Sequence, residues 1–211
     1  NTTIRKKLTG QDATDQAHID GELNALDGTP NKKQLGANAI LGVSLATARA
    51  AAAAQKKPFH EYVAKLAGTK PRVPVPYANV INGGSHAEGG LKLQEFMIVP
   101  TGAKNFAQAS QMVSETYHHL KKLLKKKYGA ASTHLGDEGG FAPPMKDSKE
   151  ALDLLMQAIK KAGYATKMKL AIDAAASEFY DHDTKTYLAE AYSPQQLEHY
   201  YDSLIKKYPI T

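Results

Sequence analysis

Asn79-Val80-Ile81-Asn82-Gly83-Gly84-Ser85-His86-Ala87-Glu88-Gly89-Gly90-Leu91-Lys92-Leu93-Gln94-Glu95-Phe96-Met97-Ile98-Val99 governs the architecture. Two runs of strand character, residues 77–81 and 91–99, flank a loop that contains Gly83, Gly84, Gly89 and Gly90. No helical pattern separates the runs, so they are expected to pair antiparallel as a hairpin. The end of the first strand and the start of the second then share one edge of the sheet. Gln94 and Glu95 are adjacent polar residues near the start of the second strand. Adjacent strand residues face opposite ways, so at least one of the two points inward.

Upstream, Pro71-Arg72-Val73-Pro74-Val75-Pro76 is a stiff, extended segment. It puts a domain boundary near Lys70, giving units 1–70 and 71–211. Residues 12–55 carry a helical pattern in which Ile19, Leu23 and Leu26 recur at i, i+4 and i+7. Asp27-Gly28-Thr29-Pro30 is a turn. A helix of small residues over 37–54 follows, whose side chains permit close packing, and a short one over 58–66.

Downstream, Phe106, Ala109, Met112, Val113, Thr116, Tyr117, Leu120, Leu123 and Leu124 trace one face of a long helix that stops at Gly129. After a glycine-rich stretch at 136–144, another helix begins near Asp147, with Glu150 placed for a capping box. A strand over 168–175 puts Met168, Leu170, Ile172 and Ala174 on one face and Lys169, Ala171, Asp173 and Ala175 on the other. A last helix spans 194–207. A hairpin followed by helix, strand and helix predicts the start of an α/β barrel. Residues 71–211 hold too few strands to close the usual eight.

Composition narrows the chemistry. The sequence has no cysteine, so any metal binds through oxygen or imidazole, and a reducing compartment fits. Net charge is +6, with Lys121, Lys122, Lys125, Lys126 and Lys127 clustered along one helix. No aromatic platform is interleaved with them, which argues against nucleic-acid binding. No apolar run approaches membrane-spanning length, and residues 1–7 lack the apolar stretch of a signal peptide.

Four positions have chemistry that a bland fold does not need. Asp173, near the C-terminal end of an otherwise apolar strand, is a good oxygen ligand for Mg²⁺ at the edge where barrels build active sites. Its alternative is a surface acid or helix cap. Gln94 and Glu95 lie at the same edge as His86, where the alternative is an exposed edge strand. His86, in its glycine-rich loop, suits binding of phosphate or carboxylate, or proton transfer; the alternative is a plain surface loop. Asp137 and Glu138 are flanked by glycines and suit general acid–base work, although a lone acidic turn has the same pattern.

In combination these segments resemble the enolase family. The matching stretches are LGANAILGVS (residues 35–44), NVINGGSHA (79–87), LQEFMIVPTGA (93–103), GDEGGFAP (136–143) and ASEF (176–179), in the family's order and spacing. The resemblance implies an enolase-type α/β (TIM-like) barrel, incomplete here, preceded by the helical part of an α+β N-terminal domain. It implies Mg²⁺-dependent dehydration of 2-phosphoglycerate to phosphoenolpyruvate in a cytoplasmic, usually homodimeric glycolytic enzyme. By motif, Glu138 resembles the general acid. His86 and Glu95 resemble the substrate-binding and catalytic-support residues, with Gln94 beside them, and Asp173 resembles the first of three metal carboxylates.

The sequence also departs from the family. Glu88 stands where glycine is usual, Pro144 where asparagine is usual, and the segment 181–192 is short. The other two metal carboxylates, the base lysine and the substrate-covering serine loop have no counterpart. These 211 residues are therefore expected to be inactive alone. The competing expectation is a non-catalytic enolase fragment or truncated paralogue that binds partners at a surface.

Overall fold

The computed structural model describes residues 2–84, 90–136, 138–187 and 192–211. The chain divides into two compact units, Asn1–Arg72 and Val73–Thr211.

The first unit is helical: α1 (Thr2–Leu8), α2 (Gln16–Asp27), α3 (Ala37–Ala54) and α4 (Phe59–Leu66). Helix α1 lies ahead of the helical region read from the sequence. Its one buried side chain, Ile4, joins Ile19 and Leu23 in a small core. Asp15 caps α2 by accepting from the His18 N–H at 3.0 Å, and Gly28 ends the helix at φ 67°. Ala48, Ala51 and Ala52 of α3 pack against Tyr62 of α4, so small side chains do allow close approach there. Contrary to the sequence reading, α3 is long and apolar enough to cross a membrane by length and composition. Continuous helix merges short apolar stretches into one, and the same helix carries Arg49, stacked over the Phe59 ring at 4.7 Å.

The second unit is built on β1 (Ala78–Asn82), β2 (Glu95–Val99) and β3 (Lys169–Asp173), in that order in the sheet, both pairings antiparallel. The expected hairpin is present, but its second strand is shorter than expected. Residues 91–94 do not join the ladder because they pass under the glycines. Gly83 N–H donates to Gln94 O at 2.8 Å and Gly84 N–H to Leu91 O at 2.9 Å. A Cβ on Gly83 would meet Leu93 O at 2.4 Å, so only glycine permits this crossing. Strand β3 also stops early, at Asp173, because Ala175 turns into the left-handed region at φ 45°.

Helices α5 (Phe106–Tyr128), α6 (Ser148–Lys161) and α7 (Pro194–Lys207) follow the expected positions. Leu120 and Leu124 of α5, Leu152 and Leu155 of α6 and Leu204 of α7 share one core with Phe96 and Ile98 of β2 and Leu170 of β3. The capping box expected at α6 does not form. Asp147 accepts from the Lys149 N–H at 2.9 Å, but the Glu150 carboxylate bonds to Lys127 and Tyr128 instead. A true capping box sits on α7, where Ser193 and Gln196 bond reciprocally. A small hairpin, β4 (Tyr180–Asp181) with β5 (Thr186–Tyr187), occupies part of the segment read as short.

After α7 the chain returns alongside β3 in parallel. Leu170 N–H donates to Pro209 O and Thr211 N–H to Leu170 O, each at 3.0 Å. On the other side, Phe141 bridges to Ile81 of β1, also in parallel. This mixture of a leading antiparallel hairpin and helix-connected parallel neighbours is an incomplete α/β barrel.

Candidate functional site at one edge of the sheet

The sheet register brings the sequence-predicted acids together. Asn82 faces Glu95 across β1 and β2, and Glu95 faces Asp173 across β2 and β3. The three residues form one row at one edge of the sheet. Gln94 precedes this row, and its N–H donates to Asp173 O at 3.0 Å. Gln94 and Glu95 are both half-buried, whereas Asp173 is exposed. One Asp173 oxygen, Oδ1, accepts from the Ala175 N–H at 2.9 Å, which restrains the carboxylate.

Glu138 reaches the neighbourhood of this edge through a tight glycine loop. Gly136 N–H donates to Gly140 O at 2.8 Å and closes the loop. The following residue, Phe141, is tied to β1, donating to Val80 O at 2.9 Å and accepting from Asn82 N–H at 2.8 Å. Tyr117 of α5 stacks on the Phe141 ring with centroids 4.4 Å apart and donates its hydroxyl to Gly139 O at 2.9 Å. Burial pushes the Tyr117 phenol above its ordinary value, so it remains a protonated donor. The Glu138 carboxylate accepts a hydrogen bond from Asn79 Nδ2 at 3.1 Å.

His86, Ser85 and Asp137 lie outside the described residues. Glu95, Asp173 and Glu138 are thus each anchored on or against the three-stranded sheet.

The sequence reading missed Asn79 and Asn82. Strict alternation sets residues three apart on opposite faces of a strand. The register of β1 slips between Asn79 and Ile81, so Val80 is an extra residue in the ladder. The two amides consequently meet, with Asn79 Nδ2 donating to Asn82 Oδ1 at 2.8 Å. Asn82 is only 1% exposed. The one local hint was a pair of asparagines inside an otherwise apolar strand, a residue type that strands disfavour.

Hard-cation chemistry fits Asp173, since Mg²⁺ commonly takes one or two protein carboxylates together with water and substrate oxygens. Among the described residues no group of three acidic or imidazole side chains could hold a metal by itself.

Comparison with known proteins gives a consistent result. Residues 70–211 match the family described as "Enolase, C-terminal TIM barrel domain", and residues 1–63 match "Enolase, N-terminal domain". The chain is 51% identical over 211 residues to the enolase of Methanocaldococcus jannaschii, covering 100% of this chain and 49% of that protein. It is 52% identical to the enolase of Methanopyrus kandleri over a 212-residue alignment, covering 98% of this chain and 49% of the relative. The chain therefore spans about half the length of the curated relatives it matches.

Proposed function

The chain belongs to the enolase family, and from that membership we propose that it supplies part of the active site for dehydration of 2-phosphoglycerate to phosphoenolpyruvate, a lyase step of glycolysis. The observation that carries the reading is the shared sheet edge: Glu95 and Asp173 are ladder partners, and the Glu138 loop is tied to the adjacent strand.

In this reading Glu138 is the general acid. It gives a proton to the departing hydroxyl, a role that needs a carboxyl positioned by a fixed partner. Its exposed position with a bond from Asn79 supports that role. Glu95 and Gln94 orient substrate and support catalysis from the start of β2, and their half-buried setting supports restricted rotation. His86 binds substrate; that assignment rests on its place in the matched motif. Asp173 is the carboxylate that would hold Mg²⁺. When bound, the cation supplies positive charge for the anionic oxygens of the substrate. The remaining metal carboxylates and the base that removes the α-proton would come from sequence other than these 211 residues. Cytoplasmic location and a homodimeric assembly go with the family reading.

The test is direct. The complete polypeptide that contains this chain should convert 2-phosphoglycerate to phosphoenolpyruvate, followed by the ultraviolet absorbance of the product. Glu138→Gln should lower kcat by about 10²-fold or more. Residues 1–211 alone should give no product. Product from that isolated stretch, or a Glu138→Gln variant with normal turnover, would overturn the reading.

A further inference from the structure

The Asn79–Asn82 pair lies behind Glu138 with an incomplete hydrogen-bond inventory. Asn79 Nδ2 donates to Glu138 Oε2 at 3.1 Å and to Asn82 Oδ1 at 2.8 Å. In this arrangement one amide nitrogen serves both acceptors. Gly140 packs against the pair. A Cβ there would come within 2.2 Å of Asn82 Oδ1 and 3.2 Å of Asn79 Oδ1. The Val80 bulge and the absence of a side chain at residue 140 are therefore both needed to seat the two amides. Yet Asn79 Oδ1 and Asn82 Nδ2 are buried and have no hydrogen-bond partner among the described residues. Leaving such groups unpaired costs stability, so packing alone does not account for the arrangement.

We infer that Asn79 is a positioning residue for Glu138, its amide N–H fixing Oε2 as the accepting oxygen so that the transferable proton sits on Oε1. The inference rests on Glu138 being the acid. In the dehydration direction the Oε1–H bond breaks as the proton passes to the departing hydroxyl. The carbon–oxygen bond breaks with its electron pair going to that oxygen, and the pair left by earlier loss of the α-proton forms the new double bond. Water departs. The charge left on the Glu138 carboxylate is met by the Asn79 N–H, a charge-assisted hydrogen bond stronger than the neutral one it replaces. A donor already in place at the atom where charge appears needs no reorganisation during the step.

The experiment uses Asn79→Ala and Asn79→Asp in the complete polypeptide. The aspartate is nearly isosteric but has no N–H to give. For both variants we expect kcat for dehydration to fall about 10–100-fold with KM changed less than about 3-fold. Exchange of the substrate α-proton with solvent deuterium does not require the acid and should stay within about 3-fold of the parent. In a Glu138→Gln background, adding Asn79→Ala should cost less than about 2-fold, because the two residues act as a unit. Normal kcat in both Asn79 variants would overturn the inference. So would joint loss of kcat and proton exchange, which marks a structural role, or a full multiplicative loss in the Glu138→Gln background. If Glu138→Gln itself turns over normally, the acid assignment falls first. If Glu138→Gln is impaired while the Asn79 variants are normal, only the role of Asn79 falls.

Discussion

Glu95 and Asp173 are direct partners across the β2–β3 ladder although 78 positions separate them in the sequence (173 − 95 = 78). The pairing gives each carboxylate a neighbour on a rigid strand rather than on a loop.

Asp173→Asn keeps shape and the bond from the Ala175 N–H but removes the negative charge. In the complete polypeptide, Mg²⁺ affinity measured by titration calorimetry should fall about 10–100-fold. The melting temperature in the presence of chelator should hardly move, because the side chain is exposed.

Gly140→Ala introduces a methyl that would lie 2.2 Å from Asn82 Oδ1. Asn82 is fully enclosed and cannot swing away cheaply. We expect a loss of about 1–3 kcal/mol in denaturant unfolding, typical of overpacking. Turnover of the complete polypeptide should fall with it, since the displaced Asn82 accepts from the same Asn79 amide that donates to Glu138.

Asp27 provides a pH test in the first unit. Burial by itself would push its carboxyl up, but bonds from the Thr29 hydroxyl and from the N–H groups of Leu35, Thr29 and Gln34 hold it below its ordinary value. A carboxyl whose folded pKa is lowered stabilises the fold above its unfolded pKa. That contribution is lost as pH falls through the folded value. Urea midpoints for the helical unit should therefore begin to drop as pH falls below about 5 and keep falling through the ordinary aspartate range near about 4. Asp27→Asn should be less stable at neutral pH and should show a flatter acid dependence.

Ser193→Ala removes the side-chain half of the α7 capping box. The expected cost is about 1 kcal/mol in thermal or urea unfolding. Glu150→Gln, by contrast, leaves the α6 cap untouched because Asp147 holds it, and acts only through Lys127 and Tyr128. A Glu150→Gln effect that survives in a Lys127→Met, Tyr128→Phe background would contradict this division.

Much of this molecule was legible locally. The apolar periodicity of α5 and α6, the glycine that ends α5 and the hairpin around the four glycines all follow from rules that act within a turn or two of chain. So does the placement of Asp173 near the C-terminal end of its strand, although the strand itself stops sooner than expected. The motifs at residues 79–87, 93–103 and 136–143 carried the family. Tertiary structure alone decided which side chains meet. Period-2 alternation sets Asn79 and Asn82 apart, and the Val80 bulge brings them together. The contact of Asn79 with Glu138 spans 59 positions and requires Gly140 to leave room for the amides. Local propensity cannot encode either fact, because a bulge and a close approach are fixed by the packing of one segment against another. The sequence by itself determined the main strands, the principal helices and the family, and the folded sheet determined where the strands end and which side chains meet.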